Sequence, residues 1–471
     1  MDSSFERSVL TRLPLAEAIL TLLRWVLDTT LLSSTYDRHR GRCHDRLLTF
    51  PDFVHLLFDC LTLPWSSARA GLLKAKEDDR LPVSLQAFYD KLKKTPVDVS
   101  LHFFRQAAAR LREVVPQHRP QCPASLRGMT TLLMDGKVVK HVCRRLKLLR
   151  LNRQTACKLL GPRTLVLADR WSGLLHDLVA DLDGEANEVK HVAALLEGVP
   201  ASVAGPWLIV GDSAFGRFGV CQDISRRGGH FLLRQHGTTT FIADPQRPAV
   251  PSSDRFGRPV TQEWGWLVRG KTSKSKPRPQ LAVRRLTVQR ERSHLVLVSD
   301  LLEPEQYPLD DLLDSYLARW DIERIFQTLT EVFHLRELFS SSPQGMLLQL
   351  VLTFLLYNAV QAVKLLVARQ QDIEQERISM PLLFRDMQEE LVAVTRLLSP
   401  AAVLEHIAAY ATALGVRERL EALLKGCWCQ RWLKANYRRR DPTRKAAPKP
   451  AKVRQHKAHD SVQRILQRSN Q

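Results

Sequence analysis

The chain has 471 residues, enough for more than one domain, and its 44% apolar and 25% charged residues are those of an ordinary globular protein. Seventy Lys and Arg against 49 Asp and Glu leave a formal charge of +21. That balance excludes an acidic surface and points to a polyanionic partner, nucleic acid before an anionic membrane. Eight cysteines without framework spacing exclude a disulfide scaffold and fit a reducing compartment.

Residues 1–115 carry apolar residues at three- and four-residue spacing, which predicts helices, with a basic connector at 36–46. Asp2, Glu6 and Arg7 precede any apolar run, so no secretory signal is expected. Short helices with basic connectors suit DNA-end binding, and they equally suit a cap that only packs. Pro116, Pro120 and Pro123 mark a linker.

From 124 to 236 the pattern changes to alternating strands and helices. The run 130–135 is apolar and ends in Asp135. Residues 163–180 read as two strands around a turn at Trp171, Ser172 and Gly173, and 185–198 as an amphipathic helix. Residues 207–227 read as a buried strand, then Asp212, then a helix; 230–236, with Arg234, is another strand.

Regularity then fails over 237–293, which holds 12 Lys and Arg against four acids, together with Trp264 and Trp266. Its loop, with Lys271, Lys274 and Lys276, has nothing to bury and is expected in solvent or on phosphate. Apolar order resumes as a strand over 294–300. A single helix is expected over 312–333, opened by Pro308, Asp310 and Asp311. At about 100° per residue, Tyr316, Arg319 and Glu323 fall within roughly 60° of one another on that helix. Taken alone, this is an i, i+4 ion pair on a surface helix, worth a few tenths of a kcal/mol.

The apolar run 346–368 is long enough to cross a bilayer, but Gln349, Asn358, Gln361 and Lys364 argue for a helix buried in protein. Further helices are expected to about 424. From 434 to 471 twelve Lys and Arg against Asp441 and Asp460 leave +10, the composition of a basic tail disordered until it meets DNA. Cys427 and Cys429, with His456 and His459 beyond, offer a zinc site without the usual two-residue gap between thiolates.

Three carboxylates stand out by position. Asp135 and Asp212 lie at the carboxyl ends of strands, where open α/β sheets place ligands, and Glu323 follows on the helix after the last strand. Three acids so placed serve two-metal phosphoryl transfer, in which hard oxygen ligands hold two Mg²⁺ ions about 4 Å apart. Asp181, Asp183, Glu185 and Glu188 sit where capping and the helix dipole explain them; Asp300, at the end of a strand, is the strongest competitor.

These residues resemble the DDE transposases of bacterial insertion sequences, in the branch marked by a Tyr-x2-Arg-x3-Glu-x6-Lys signature. Tyr316, Arg319 and Glu323 match its spacing, beside MDG at 134–136, GDSAFG at 211–216, FLLR at 231–234 and LLYN at 355–358. The likeness covers roughly 125–365. It implies an α/β fold: a ribonuclease-H-like mixed sheet with flanking helices, its halves at 124–236 and 294–369 separated by a β-rich insertion at 237–293. Helical regions flank it at 1–115 and 370–433, before the tail at 434–471. It implies Asp135, Asp212 and Glu323 as ligands of two Mg²⁺ ions, with Mn²⁺ able to substitute. Tyr316 and Arg319 would hold DNA, and Trp264 or Trp266 would stack on a flipped base. The implied partners are terminal inverted repeats and target DNA, bound by a homodimer in the paired-end complex, in the cytoplasm and away from membranes. One departure stands out: the signature lysine, implied to contact phosphate, is Thr330 here. The implied activity is cut-and-paste transposition, against a nuclease without strand transfer or a DNA-binding repressor of transposition.

Overall fold

The structure is a computed structural model and describes residues 3–43, 45–63, 65, 67–115, 122–140, 158–269, 279–291, 293–333, 338–435 and 459–469. In chain order the strands are β1 (Thr130–Val138), β2 (Lys158–Leu160), β3 (Arg163–Asp169), β4 (Leu175–Asp181), β5 (Trp207–Gly211) and β6 (His230–Arg234). They continue with β7 (Thr240–Ala243), β8 (Val250–Ser253), β9 (Pro259–Val268), β10 (Gln280–Arg290), β11 (Ser293–Ser299) and β12 (His459–Ser461).

Ten of them form one mixed sheet in the order β4-β3-β1-β5-β6-β11-β10-β9-β7, with β8 paired to β9. β1, β5 and β6 run parallel, and β3 is reversed against β1. Alternation along β1 and β5 sends Leu132, Met134 and Ile209 to one face, under the helices Val192–Glu197 and Phe218–Arg226. Leu133, Leu208 and Val210 go to the other face, in a core shared with the N-terminal and C-terminal helices.

That second core is organised by the helix Pro343–Gln370, apolar all round and buried along almost its whole length. The polar residues that argued against a membrane span hold the β3–β4 hairpin. Asn358 accepts from the Leu175 amide at 2.8 Å and donates to the Leu175 carbonyl at 2.9 Å. Gln361 donates to the Ser172 carbonyl at 2.7 Å, and the Tyr357 hydroxyl to that of Gly173 at 3.0 Å. β4 is an edge strand, so these side chains satisfy backbone groups that no further strand covers.

Helices across Ser3–Val114 start on side-chain caps from Asp28, Thr49, Ser67 and Ser84, each accepting an amide of the first turn. The Val97–Val114 helix joins this region to the sheet. Phe104 meets Phe354 edge to face at 6.3 Å, Arg105 pairs with Asp177 at 2.8 Å, and Arg112 donates to the His176 carbonyl at 2.8 Å.

The structure departs from expectation in four places. Residues 237–293 are β-rich, as the resemblance implied, and only the reading from periodicity fails: β7 to β10 extend the same sheet. A buried polar pair hid the strand alternation, since Arg284 donates to Gln262 at 3.1 Å and to the Tyr307 carbonyl at 2.7 Å from inside the core. The helix expected from 185 opens as a 3-10 turn at Glu188 and becomes an α-helix only at Val192, because Asp183 and Asn187 hold amides in turns first. The helix expected over 312–333 is two helices, Leu309–Leu317 and Trp320–Glu331. The tail is not disordered over 459–469. β12 pairs in parallel with β2, Val462 and Ile465 enter the core, and Arg464 pairs with Asp183 at 2.8 Å. Basic residues 436–458 lie outside the described residues.

Asn358→Leu should cost roughly 2–4 kcal/mol in denaturant unfolding, because two buried backbone groups of Leu175 lose their partners. A cost below about 1 kcal/mol would mean that water reaches this edge.

Candidate active site

The register of β1 against β5 ends with Met134 opposite Gly211, so the next residues, Asp135 and Asp212, sit side by side on parallel strands. Neighbouring strands lie about 4.8 Å apart, which brings the two carboxylates onto one ledge. Both follow the alternation of Leu133 and Val210 and face the side shared with the N-terminal and C-terminal helices. Asp135 does not end its strand: β1 runs on to Val138 along β3, and only its β5 side stops here. Asp135 accepts its neighbour Gly136's amide at 2.8 Å, and Asp212 accepts that of Ala214 at 2.8 Å.

Glu323 approaches from the Trp320–Glu331 helix. At the joint before it, i→i+3 bonds replace the helical pattern: Arg319 donates its amide to the Tyr316 carbonyl at 3.0 Å and Asp321 to that of Ala318 at 2.8 Å. No Gly or Pro marks this joint, so periodicity ran straight through it. Arg319 still reaches Glu323 at 2.9 Å, with 9% of its side chain exposed against 39% for the carboxylate. The guanidinium is therefore buried behind the carboxylate and presents it to the surface. Asp321, on the flank, pairs with Arg170 at 3.0 Å and Arg324 at 3.2 Å.

Burial pushes the Asp135 carboxyl up to about 7. The Gly136 amide and the Arg319 guanidinium oppose the rise, and Asp212 and Glu323 add to it. The three acids thus sense one another, while Glu323 rests on Arg319. Among the described residues no three Asp, Glu, His or Cys side chains are already gathered at ligand distance. The donor set itself, two strand-borne carboxylates with a third on the facing helix, fits hard divalent cations. Cys427 and Cys429 are free thiols outside any such group, and the His456 of the proposed zinc site lies outside the described residues.

Tyr316 is buried, and its phenol is held up by that burial, with Arg319 and Arg234 lowering it and Asp212 raising it. Tyr316 and Arg234 therefore adjoin the acids. Arg290 stands beside Arg258, Tyr316 and Arg234, a basic group the sequence reading missed because it ends a strand hidden in the irregular-looking segment. Thr330 donates back to the Phe326 carbonyl at 2.7 Å and accepts from Lys137 at 3.1 Å. Lys137 was missed as well. Its signal was there, two residues after Asp135 and hence on the same face of β1. Burial lowers its ammonium to about 8.

Trp264 and Trp266 lie in the sheet, away from the acids. β9 lies four strand spacings from β5, about 19 Å along the sheet. The Trp264 ring is buried, its indole donates to the Leu302 carbonyl at 2.9 Å, and Arg247 covers one face at 4.2 Å. It is a core residue. Trp266 is half-buried on the same strand. Lys271, Lys274 and Lys276 lie outside the described residues.

The competing acids have structural partners. Asp181 pairs with His191 at 3.2 Å, Glu188 with Arg163 at 3.1 Å, and Asp183 and Glu185 with Arg464. Asp300 lies at the start of β6, away from Asp212. It accepts from His230 at 3.0 Å and from the Phe231 amide at 2.8 Å. That hydrogen bond holds the His230 imidazole above its usual value. A raised histidine adds stability that is complete below its unfolded value of about 6.5 and is lost as pH climbs through the folded value. The Tm gap between wild type and Asp300→Asn should therefore be wider at about pH 5.5 than at about pH 8.5. A gap independent of pH would show that the pair does not titrate.

No curated protein matches the chain. Among solved structures, the cryo-EM structure of the piggyBac transposase synaptic complex with hairpin DNA aligns over 86% of this chain and 85% of that chain, at 11% identity and a TM-score of 0.40. That likeness is too distant to inform the site. Residues 144–359 match the family model described as the transposase DDE domain, a span that takes in Asp212 and Glu323 and is tied to Asp135 by the β1–β5 pairing. Across that span the chain carries a transposase DDE domain.

Proposed function

We propose that the protein is an insertion-sequence transposase that binds the terminal inverted repeats of its element, cleaves there, and joins the freed 3′-hydroxyl to target DNA. The observation that carries this reading is the β1–β5 register, which sets Asp135 beside Asp212 with Glu323 opposite on the Trp320–Glu331 helix. The order β4-β3-β1-β5-β6, with β3 alone reversed, supports a ribonuclease-H-like core under these acids.

Asp135, Asp212 and Glu323 would hold two Mg²⁺ ions, or Mn²⁺ in their place. Bound there, such ions would supply Lewis acidity for the attacking water or 3′-hydroxyl and for the leaving oxygen. Arg319 holds Glu323 in place from behind. Tyr316, Arg234 and Arg290 offer a phenol and two guanidiniums to the phosphates beside the cut, as a basic surface should. The N-terminal helices are the candidate end-binding region, and pairing two DNA ends requires two protomers, hence a homodimer on DNA.

Purified protein would be mixed with a labelled duplex taken from the DNA flanking its own gene, with and without Mg²⁺, beside Asp212→Asn and Glu323→Gln. A metal-dependent nick at the element boundary that both variants lose, while duplex binding stays near wild type, is the expected result. Equal loss of binding and cleavage in Glu323→Gln would count against its place as a ligand. Binding with no nick in Mg²⁺ or Mn²⁺ would leave a DNA-binding repressor, and nicking without joining would leave a nuclease.

A further inference from the structure

Among the described residues, one cation of the acidic ledge, Lys137, is held by the facing helix without an ion pair. Lys137 shares the face of β1 with Asp135, and its ammonium donates to the Phe326 carbonyl at 3.3 Å and to the Thr330 hydroxyl at 3.1 Å. The ring of Phe326 lies 5.4 Å from the same nitrogen. Among the described residues no carboxylate stands within ion-pair distance of it, whereas Arg163, Arg170, Arg319 and Arg324 around it each have an acid. An ammonium has three donors, and two are used here on neutral acceptors of the facing helix. A neutral side chain would tie strand to helix at less desolvation cost, so the charge calls for another explanation.

We propose that Lys137 is a phosphate-binding residue of the DNA site, its ammonium aimed by Thr330 and the Phe326 carbonyl and its remaining donor directed to a backbone phosphate next to the one cleaved. The proposal rests on the DNA-cleavage reading above. It also explains how a threonine is accommodated at 330: the positive charge at this point of the site comes from the strand instead of the helix. Because the two heads touch, a lysine at 330 has the length to bring an ammonium back to this part of the site.

The test is binding of the same flanking duplex over a salt series by wild type, Lys137→Gln, Lys137→Thr and the double variant Lys137→Thr/Thr330→Lys, with Tm recorded for each. Lys137→Gln and Lys137→Thr should bind about tenfold more weakly, the size of one charged hydrogen bond. Their slope of log affinity against log salt should be shallower by about 0.9, one phosphate fewer. The double variant should regain both affinity and slope, which a strand-to-helix strut would not do. An unchanged slope in Lys137→Gln, or a double variant no better than Lys137→Thr, would overturn the proposal while leaving the transposase reading intact if wild type still nicks the duplex. Wild type that neither binds nor nicks it would overturn both.

Discussion

The parallel pairing of β1 with β5 is the constraint on which the site depends. A slip of one residue in that register would move Asp212 out of line with Asp135 and turn its strand's apolar set to the wrong face. Both faces of the sheet are buried, so the register is held by two cores at once, through Leu133 and Val210 on one side and Met134 and Ile209 on the other. The ledge of carboxylates is thus a by-product of packing that would be costly to alter. Burial raises Asp135 to about 7, and its neighbouring acids work in the same direction. Such an arrangement is unfavourable for folding alone.

The facing helix supplies what the sheet lacks. Arg319 is buried behind Glu323, and Lys137 is pinned beneath Phe326 and Thr330. Charge of both signs is therefore held by elements whose opposite sides are in the core. The Trp320–Glu331 helix buries Ile322, Ile325, Phe326 and Leu329, which fixes its roll against β1. At the joint around Ala318, i→i+3 bonds carry the chain from Tyr316 into the helix that bears Glu323.

Further from the site, polar groups inside apolar elements do much of the positioning. Asn358 and Gln361 on the core helix complete the edge of β4, and Arg284 with Gln262 sits within the extended sheet. At the C-terminus Arg464 finds two acids, Asp183 and Glu185, that otherwise only shape a turn. Basic residues in this chain thus divide between those consumed by internal pairing and those, such as Lys137, left facing the acidic ledge.

Much was legible in the sequence by itself: periodicity separated helical ends from a strand-bearing middle, and short-range spacing brought Tyr316, Arg319 and Glu323 to one surface. Those patterns are local, and local patterns survive in a linear reading. Periodicity alone did not show the strands of 237–293, which the resemblance implied, because a buried arginine and glutamine broke the alternation that marks a strand. The joint at 318–319 was invisible because no residue there forbids a helix. Which acids stand together, which are consumed by Arg163, His191, His230 or Arg464, and that Lys137 meets Thr330 are facts of pairing between residues far apart in the chain. Only strand register and helix packing decide those, since a side chain's partner across a sheet or between layers leaves no trace in its sequence neighbours.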